Sequence, residues 1–583
     1  MAKTNLKIEA TPTQDPTLPR RYSDFDTLVE AMEYAARGKR GTNFYNARGD
    51  LIESRTWTDL CAQAKLIGAK LVGMGFEKGD RIALIAETSG DFVAFFMGCQ
   101  YASVLPVPMP LPTSFGGRDG YVTQLGLQMK SCDANAVMAP DYMNEIIADA
   151  STDLNLKFSG CISDYMQAAG NGEIRQPSAD DLTYLQYSSG STRFPHGISI
   201  THKSLMSNTH GMGYHGVRLE DHDRCISWLP FYHDMGLVGT LLTSMACQMS
   251  VDFIPTEEFA RRPLSWLRVM SENKGTISYS PTFGFDICAR RASSRSNSWE
   301  DLDLSSWRVA GIGAEMIRPD VLRHFKETFA PIGFSDKAFL PSYGLAECTL
   351  GVSFGEVGKG IEIDLVHETW LTGDKPVLLN GNASSARMRE VVNCGKPLPE
   401  YDIELRDEDQ NILEPCSIGL IYVRGPSVMR EYFNDPATTK EVLSHDGWLD
   451  TGDIGYMKEG NIYIVGRAKD MIIVNGKNHW PQDIEWAAEQ IDGVKNGDVA
   501  AISIPGENAE EVPMLLAQCR YSNGEDRTIF ADNLKKQVQR ETGINVMIKL
   551  VSPKSLPRTS SGKLSRSKAR NQYLSGQIQA IAS

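Results

Sequence analysis

The chain has 583 residues, 42% of them hydrophobic and 23% charged, with a formal net charge of −14. That length is too great for a single hydrophobic core, and the composition is that of a soluble globular protein with two or more domains. The acidic balance excludes a general nucleic-acid binder, and eleven cysteines without a CxxC pair indicate neither a disulfide framework nor a zinc site.

The opening residues, MAKTNLKIEATPTQDP, lack the apolar core of a secretory leader, so a reducing cytoplasm is expected. GMGFEKG at 73–79 has the spacing GxGxxxG, and Gly79 reads as the end of a turn before the strand RIALIA. Residues 92–111 are uncharged, long enough to raise a membrane span. They contain Pro106, Pro108 and Pro110, however, and read as a buried helix running into a buried strand, so no membrane span is expected. RIALIA, GDFVAFFMGCQYAS and VLPVPMP thus give strand, helix, strand; ISWLP, the apolar residues 235–247 and VDFIP repeat the order. Continuous apolar strands alternating with helices predict parallel sheets covered on both faces, an α/β fold over the first four-fifths of the chain.

Beyond residue 465 the character changes. NIYIVGRAKDMIIVNG reads as two short strands joined by a charged turn, followed by a helix after Pro481 and by the strands DVAAISI and PMLLAQCRY. Residues 526–542 place Ile529, Phe530, Leu534 and Val538 on one helical face. This is a small α+β unit, and the boundary is expected in the turn at 466–470, which divides the chain into residues 1–466 and 467–583. From Thr542 onward there is no acid but seven bases: Lys549, Lys554, Arg558, Lys563, Arg566, Lys568 and Arg570. Such a run is either a solvated tail or a docking surface.

Five segments carry polar chemistry. YSSGSTRFPHG, directly after the alternating DLTYLQY, sets the hydroxyls and amides of Ser188, Ser189, Gly190, Ser191 and Thr192 at a strand end, where they can wrap a polyphosphate. It is not a Walker A loop, because GxxxxGK[ST] is absent. PSYGLAE ends in Glu347, a carboxylate able to hold Mg²⁺ together with substrate phosphates. DGWLDTGDIG presents Asp453 for ribose hydroxyls, GRAKD offers Arg467 to a phosphate, and PRTSSGKLSR offers Lys563 on a glycine-containing loop. Each alone reads equally as a turn or a surface charge; their joint occurrence in this order does not.

In order, YSSGSTRFPHG, SWLPFYHDMGL, GIGAEMI, PSYGLAE, GWLDTGD, GRAKDMIIVNGKNHWPQDIE and PRTSSGKL resemble the motifs of the adenylate-forming superfamily of acyl-CoA synthetases, luciferases and peptide-synthetase adenylation domains. Within it the chain is similar to the fatty acyl-AMP ligases. Arg193 and His196 stand where relatives usually have glycine and lysine, and 47 residues separate Glu347 from Gly395, so that residues 351–392 resemble the insertion of that branch. The resemblance implies a large N-terminal domain of mostly parallel β-sheets covered by helices, with a small β-barrel-like subdomain, followed by a small mobile α+β C-terminal domain. It implies that a fatty acid carboxylate attacks the α-phosphorus of ATP, giving acyl-AMP and pyrophosphate. Because the substrate is itself the nucleophile, the protein supplies positioning and positive charge.

The roles implied by resemblance are these. Lys563 is the indispensable cation, Glu347 the Mg²⁺ ligand, and His233 lies near the reacting carboxylate. Gly313, Ala314 and Glu315 lie along the adenine, Ser342, Tyr343 and Gly344 meet the base, and Asp453 and Arg467 take ribose and phosphate. Lys469 is the hinge about which the small domain turns for thiol transfer. Trp228, Met235, Phe283 and Phe285 are candidates for the acyl channel, although an aromatic and Met-rich run is also plain core. The implied acceptor is the phosphopantetheine thiol of an acyl carrier protein, expected in trans because no DSL signature occurs; carrier proteins are acidic, which gives the basic run a docking role. Three alternatives stay open: a coenzyme A acceptor, a catalytically dead nucleotide binder, and an oxidoreductase, against which stands the lack of a GxGxxG followed by an acid on the next strand.

Overall fold

Strand, helix and strand recur along the first 350 residues, and the parallel sheets they predict are present. The computed structural model describes residues 8–112, 117–187, 196–293, 299–367, 370–371, 388–474, 477–506, 511–559 and 563–582, apart from the side chains of 474 and 477. Its largest sheet has nine strands in the order Lys396–Pro397, Gly351–Phe354, Phe339–Gly344, Val309–Ile312, Ile277–Ser280, Arg224–Ser227, Ser250–Phe253, Gly41–Tyr45 and Leu51–Thr56. Neighbours from Phe339–Gly344 through Gly41–Tyr45 run parallel, and the outer strands on both sides are antiparallel. Six parallel strands therefore present their C-terminal ends along one rim, the place where open α/β sheets bind ligands.

Residues 92–111 behave as expected. The helix Gly90–Tyr101 is buried along nearly its whole length and leads into the buried strand Leu105–Met109. That strand is the edge of a second, all-parallel sheet (Leu105–Met109, Arg81–Ile85, Ala136–Met138, Phe158–Gly160), which is why it tolerates Pro106 and Pro108. Among the described residues no helix is long and apolar enough to cross a membrane. All eleven cysteines are free thiols. The hairpin Leu182–Tyr187 and Gly197–Thr201 closes on the pair Tyr187 and Gly197.

The chain then forms an antiparallel meander of four strands, Asp402–Arg406, Gly419–Arg424, Leu449–Lys458 and Asn461–Arg467, and a short turn, Ala468–Asp470. From Ile472 onward there are separate cores on the two faces of a three-stranded sheet, Val499–Pro505, Glu511–Gln518 and Met547–Val551. Val499 and Ala501 face the helices Pro481–Glu489 and Gly524–Thr542, while Ala500 and Ile502 face the helix Arg566–Leu574, the alternation a pleated strand imposes. In Gly524–Thr542 the buried stripe is Phe530, Leu534, Gln537 and Val538, and Ile529 is 52% exposed. The helical period carries residue 529 off that stripe, which corrects its assignment to the apolar face.

The basic run near the C-terminus is largely engaged within the chain. Arg566 pairs with Glu485 and Asp470, Arg570 donates to the Ser503 carbonyl at 2.7 Å, and Arg558 to that of Gly497 at 3.1 Å. Of the seven bases, Arg566 is matched by acids, while Arg558 and Arg570 donate to neutral carbonyls and Arg558 and Lys554 are exposed.

The frame under the rim rests on a buried ion pair. Arg224 meets both oxygens of Asp252, at 2.7 and 2.6 Å, and Asn43 and Asn273 donate to the same carboxylate at 2.7 Å each. Both charges lie inside, 3% and 0% exposed. Asp252→Ala strands the guanidinium and should cost about 3–5 kcal/mol, seen as a lower urea midpoint of the large unit; a loss below about 1 kcal/mol would mean that the pair carries little.

Candidate functional site

Four motifs begin where four neighbouring parallel strands end. After Val309–Ile312 come Gly313, Ala314 and Glu315, with Ala314 in the left-handed region at φ 68°, a backbone costing roughly 1–3 kcal/mol. The Glu315 Oε1 accepts from the Phe283 N–H at 2.9 Å, just past the end of Ile277–Ser280. Burial raises the Glu315 pKa, against that N–H and the charges of Lys563, Arg318 and Arg558. After Phe339–Gly344 comes Glu347. Gly344 permits the turn between them, since a Cβ there would lie 1.9 Å from the Leu350 carbonyl oxygen. Beyond Arg224–Ser227 lie His233 and Asp234, the latter capping the helical run Met235–Leu242 by accepting from the Met235 N–H at 2.7 Å.

Each polar group has a defined partner. Tyr343 donates to Asp453 Oδ2 at 2.8 Å, and Arg467 Nε to Oδ1 at 3.0 Å; Asp453, with Glu347 beyond it, raises the Arg467 pKa. Burial raises the Glu347 pKa, opposed by the Tyr432 hydroxyl, which donates to Oε1 at 2.9 Å. The His196 ring lies 4.9 Å from that of Tyr432, and its Nδ1 is 3.1 Å from Asp435. His233 Nδ1 is 2.6 Å from Asp234 Oδ1. Burial alone would raise the Asp234 pKa, but the His233 ring and the Lys563 ammonium hold it below the usual carboxylate range.

Lys563 closes the arrangement. Arg558 and Leu564 bridge in antiparallel fashion, and the Thr559 N–H donates to the Lys563 carbonyl at 2.7 Å, which fixes the backbone of the lysine. Burial lowers its pKa, while Glu315, Asp234 and Asp453 pull it up. One ammonium thus faces carboxylates from three separate motifs.

Two cavities of about 300 Å³ each meet here and share Ala314, Ser342, Tyr343, Gly344, Arg467 and Lys563. One lies between the rim and the α+β unit, beside Glu315, Asp453 and Arg318. The other passes Glu347, His233 and Asp234 into an apolar arm of Met212, Val217, Leu350 and Phe354. Charge lies at the junction and hydrocarbon at one end, a shape suited to a ligand with a polar head and an apolar tail. A Mg²⁺ ion fits Glu347, because Tyr432 occupies one of its oxygens and the other remains for a cation otherwise held by phosphates and water. Among the described residues the cluster of three metal-ligating side chains is elsewhere, at Asp141, Cys161 and Asp164.

The structure brings together Glu347, His233, Gly313, Ala314, Glu315, Ser342, Tyr343, Gly344, Asp453, Arg467 and Lys563, and Lys469 lines the second cavity. Ser188, Ser189, Gly190, Ser191 and Thr192 lie outside the described residues. Of the four candidates for an acyl channel, only Met235 lines the cavity with the apolar arm. Phe283 lines the other cavity, beside Glu315. Trp228 is stacked on Phe259 at 3.9 Å, and Phe285 is fully buried among Trp266, Trp307 and Phe325. Trp228 and Phe285 are core, because an aromatic run at a strand–helix junction packs inward as readily as it lines a channel.

Tyr432 and the arm residues Met212, Val217 and Leu350 lie in none of the quoted motifs, whereas Asp234 lies in SWLPFYHDMGL beside His233. One signal existed: residues 211–216, GMGYHG, have GxGxxG spacing, but form a π-helical turn, a feature frequent at functional sites, and not a strand–helix turn over phosphates. GVSFG at 351–355 likewise matches GxSxG, yet Ser353 is buried in a strand and donates to the Cys394 carbonyl at 2.9 Å, so it is no nucleophile elbow.

Comparison with known proteins supplies the context. Residues 33–433 match the family model described as AMP-binding enzyme. A protein of Caulobacter vibrioides, provisionally named an acyl-CoA synthetase, is 44% identical over 98% of this chain and 99% of its own. A medium-chain fatty acid–[acyl-carrier-protein] ligase of Moorena producens is 29% identical over 95% of this chain and 96% of its own. A solved chain from work on fatty acyl-adenylate ligases of E. coli and L. pneumophila superposes with a TM-score of 0.89 at 41% identity, covering 96% of this chain and 100% of that one.

Asp453→Asn removes the charge that Arg467 faces while keeping its volume. AMP binding measured by calorimetry should weaken at least tenfold, about 1.4 kcal/mol, without a comparable fall in melting temperature; unchanged affinity would remove Asp453 from the nucleotide site.

Proposed function

Because the chain belongs to the AMP-binding enzyme family and is an adenylate-forming ligase, we propose that it activates a fatty acid as acyl-AMP and passes the acyl group to the phosphopantetheine thiol of a separate acyl carrier protein. One observation carries the activation step: a polar and a partly apolar cavity meet at Lys563, where the two substrates would join. The fatty acid enters by the apolar arm and ATP by the cavity beside Glu315 and Asp453. A carboxylate oxygen attacks the α-phosphorus in line; the new P–O bond forms as the bond to the β-phosphate bridge breaks, and pyrophosphate leaves with that electron pair. Lys563 and Arg467 offset the charge on the phosphoryl oxygens, and Asp453 and Tyr343 fix the nucleoside. Mg²⁺ held by Glu347 would add positive charge at the phosphates.

This assignment explains a phosphate loop without its own lysine. The cation comes from Lys563, whereas His196 is already engaged with Asp435 and packed on Tyr432. Lys563→Ala should lower ATP–pyrophosphate exchange on the order of 100-fold to 1000-fold, and His196→Ala less than tenfold; the opposite order would overturn the roles. Since burial lowers the Lys563 pKa, its charge is lost as pH rises through that depressed value. The alkaline fall in exchange should therefore begin below the ordinary lysine range of about 10.4, and Lys563→Arg should move it upward.

For the second step we divide the chain at residues 466 and 467 and take Lys469, in the turn Ala468–Asp470, as the hinge. The small unit is held to the rest by Arg318 on Glu489 and by Arg389 at 3.3 Å from Asp483, with both guanidinium groups over Trp486. Arg389 belongs to the segment resembling the branch insertion, which supports a restrained rotation and a protein-borne thiol. The Caulobacter relative favours a second reading, with coenzyme A as acceptor. Enzyme loaded with acyl-AMP should give thioester by mass spectrometry with a holo carrier protein and not with coenzyme A, and Lys469→Pro should retain adenylation but lose transfer. Thioester formation with coenzyme A alone would establish the second reading.

A further inference from the structure

The apolar arm has a wall, a narrow point and an end, each traceable to particular residues. Met235, Gly239 and Thr243 are spaced four apart and all line it, so one face of the π-helical run Met235–Leu242 and the following turn Thr243–Ala246 forms the wall, at most about 12 Å long, because a π-helix rises less per residue than an α-helix. The Thr243 hydroxyl donates back to the Val238 carbonyl at 2.7 Å, so its hydrogen is spent on the helix itself. Gly239 is half-exposed although Val238 and Thr240 on either side are buried. Leu350 packs directly on the bare face of Gly239, its Cδ2 2.9 Å from a Cβ built there, so a side chain at 239 would push Leu350 into the arm.

The end remote from His233 and Asp234 is fixed by a second glycine-rich segment. A Cβ at Gly213 would meet the Cys247 sulfur at 3.0 Å, which sets the turn Gly211–Gly216 against the far end of the helical wall. There the Phe354 ring lies against Gly216, with ring atoms 2.9 and 3.0 Å from a Cβ built on it, and its Cε2 would be 2.9 Å from a Cβ at Gly351. No side chain intervenes on either side, so the ring itself closes the arm.

We propose that Phe354 is the floor of the acyl arm and Gly239 its bore, so that together they set the chain length and admit an unbranched aliphatic acid. This rests on the arm being the acyl site. A tunnel of at most about 12 Å holds no more than about ten carbons of an extended hydrocarbon. A branch level with Gly239 would collide with Leu350.

The test is acyl-AMP formation, followed by mass spectrometry, from saturated acids of six to sixteen carbons with wild type, Phe354→Ala and Gly239→Val. Wild-type specificity should rise about fourfold per methylene to a maximum at or below about ten carbons and then fall. Phe354→Ala should move the maximum to longer acids, and Gly239→Val should lower the ten-to-six-carbon ratio at least tenfold. Phe354→Leu, which keeps more of the buried volume, should give a smaller shift in the same direction should the alanine variant not fold. Identical profiles for all variants would overturn the length assignment while leaving fatty acid activation intact. Absence of any acyl-AMP from wild type would overturn both.

Discussion

A single buried ammonium holds the site together. Lys563 is drawn from the α+β unit into a pocket where Glu315, Asp234 and Asp453 converge, and each carboxylate comes from a motif that follows or flanks a different strand. Burying that cation costs several kcal/mol unless opposite charge surrounds it. The carboxylates would in turn repel one another without it. Lys563, contributed by the small unit, is thus the group that completes the polar centre at the rim.

The sheet makes this convergence achievable. Parallel connection of the strands ending near Ser227, Ser280, Ile312 and Gly344 puts His233, Phe283, Glu315 and Glu347 on one rim, although more than a hundred residues separate the first from the last. The Arg224–Asp252 pair ties the start of the first of those strands to its other neighbour, Ser250–Phe253. Rigidity below permits the strained backbone at Ala314 above, since a left-handed alanine persists only where its surroundings determine it.

The two units are joined by ion pairs and cation–aromatic contacts, with Arg318 and Arg389 gripping the helix Pro481–Glu489 around Trp486, and by Trp480, which is buried in the core of the large unit and donates to the Leu371 carbonyl. The small unit retains its own two cores on the faces of its sheet, so it can move without unfolding. On the proposed hinge at Lys469, these arginines are contacts that a rotation of the small unit would have to break.

The sequence by itself determined the alternation of elements, the buried nature of residues 92–111, the change of character near residue 465 and the polar residues at strand ends. These depend on periodicity, turn chemistry and short ordered motifs, all of which are local. It did not locate the apolar arm, whose wall draws on segments near residues 212, 239 and 354; nor did it show that Tyr432 holds Glu347 or that the C-terminal bases are paired internally. Phe285 and Gly239 illustrate the limit. A phenylalanine in an aromatic run and a glycine in an apolar run carry no sign of which one faces empty space. Only packing decided that, because a cavity is defined by atoms from distant parts of the chain that fail to meet, and no single segment records such an absence.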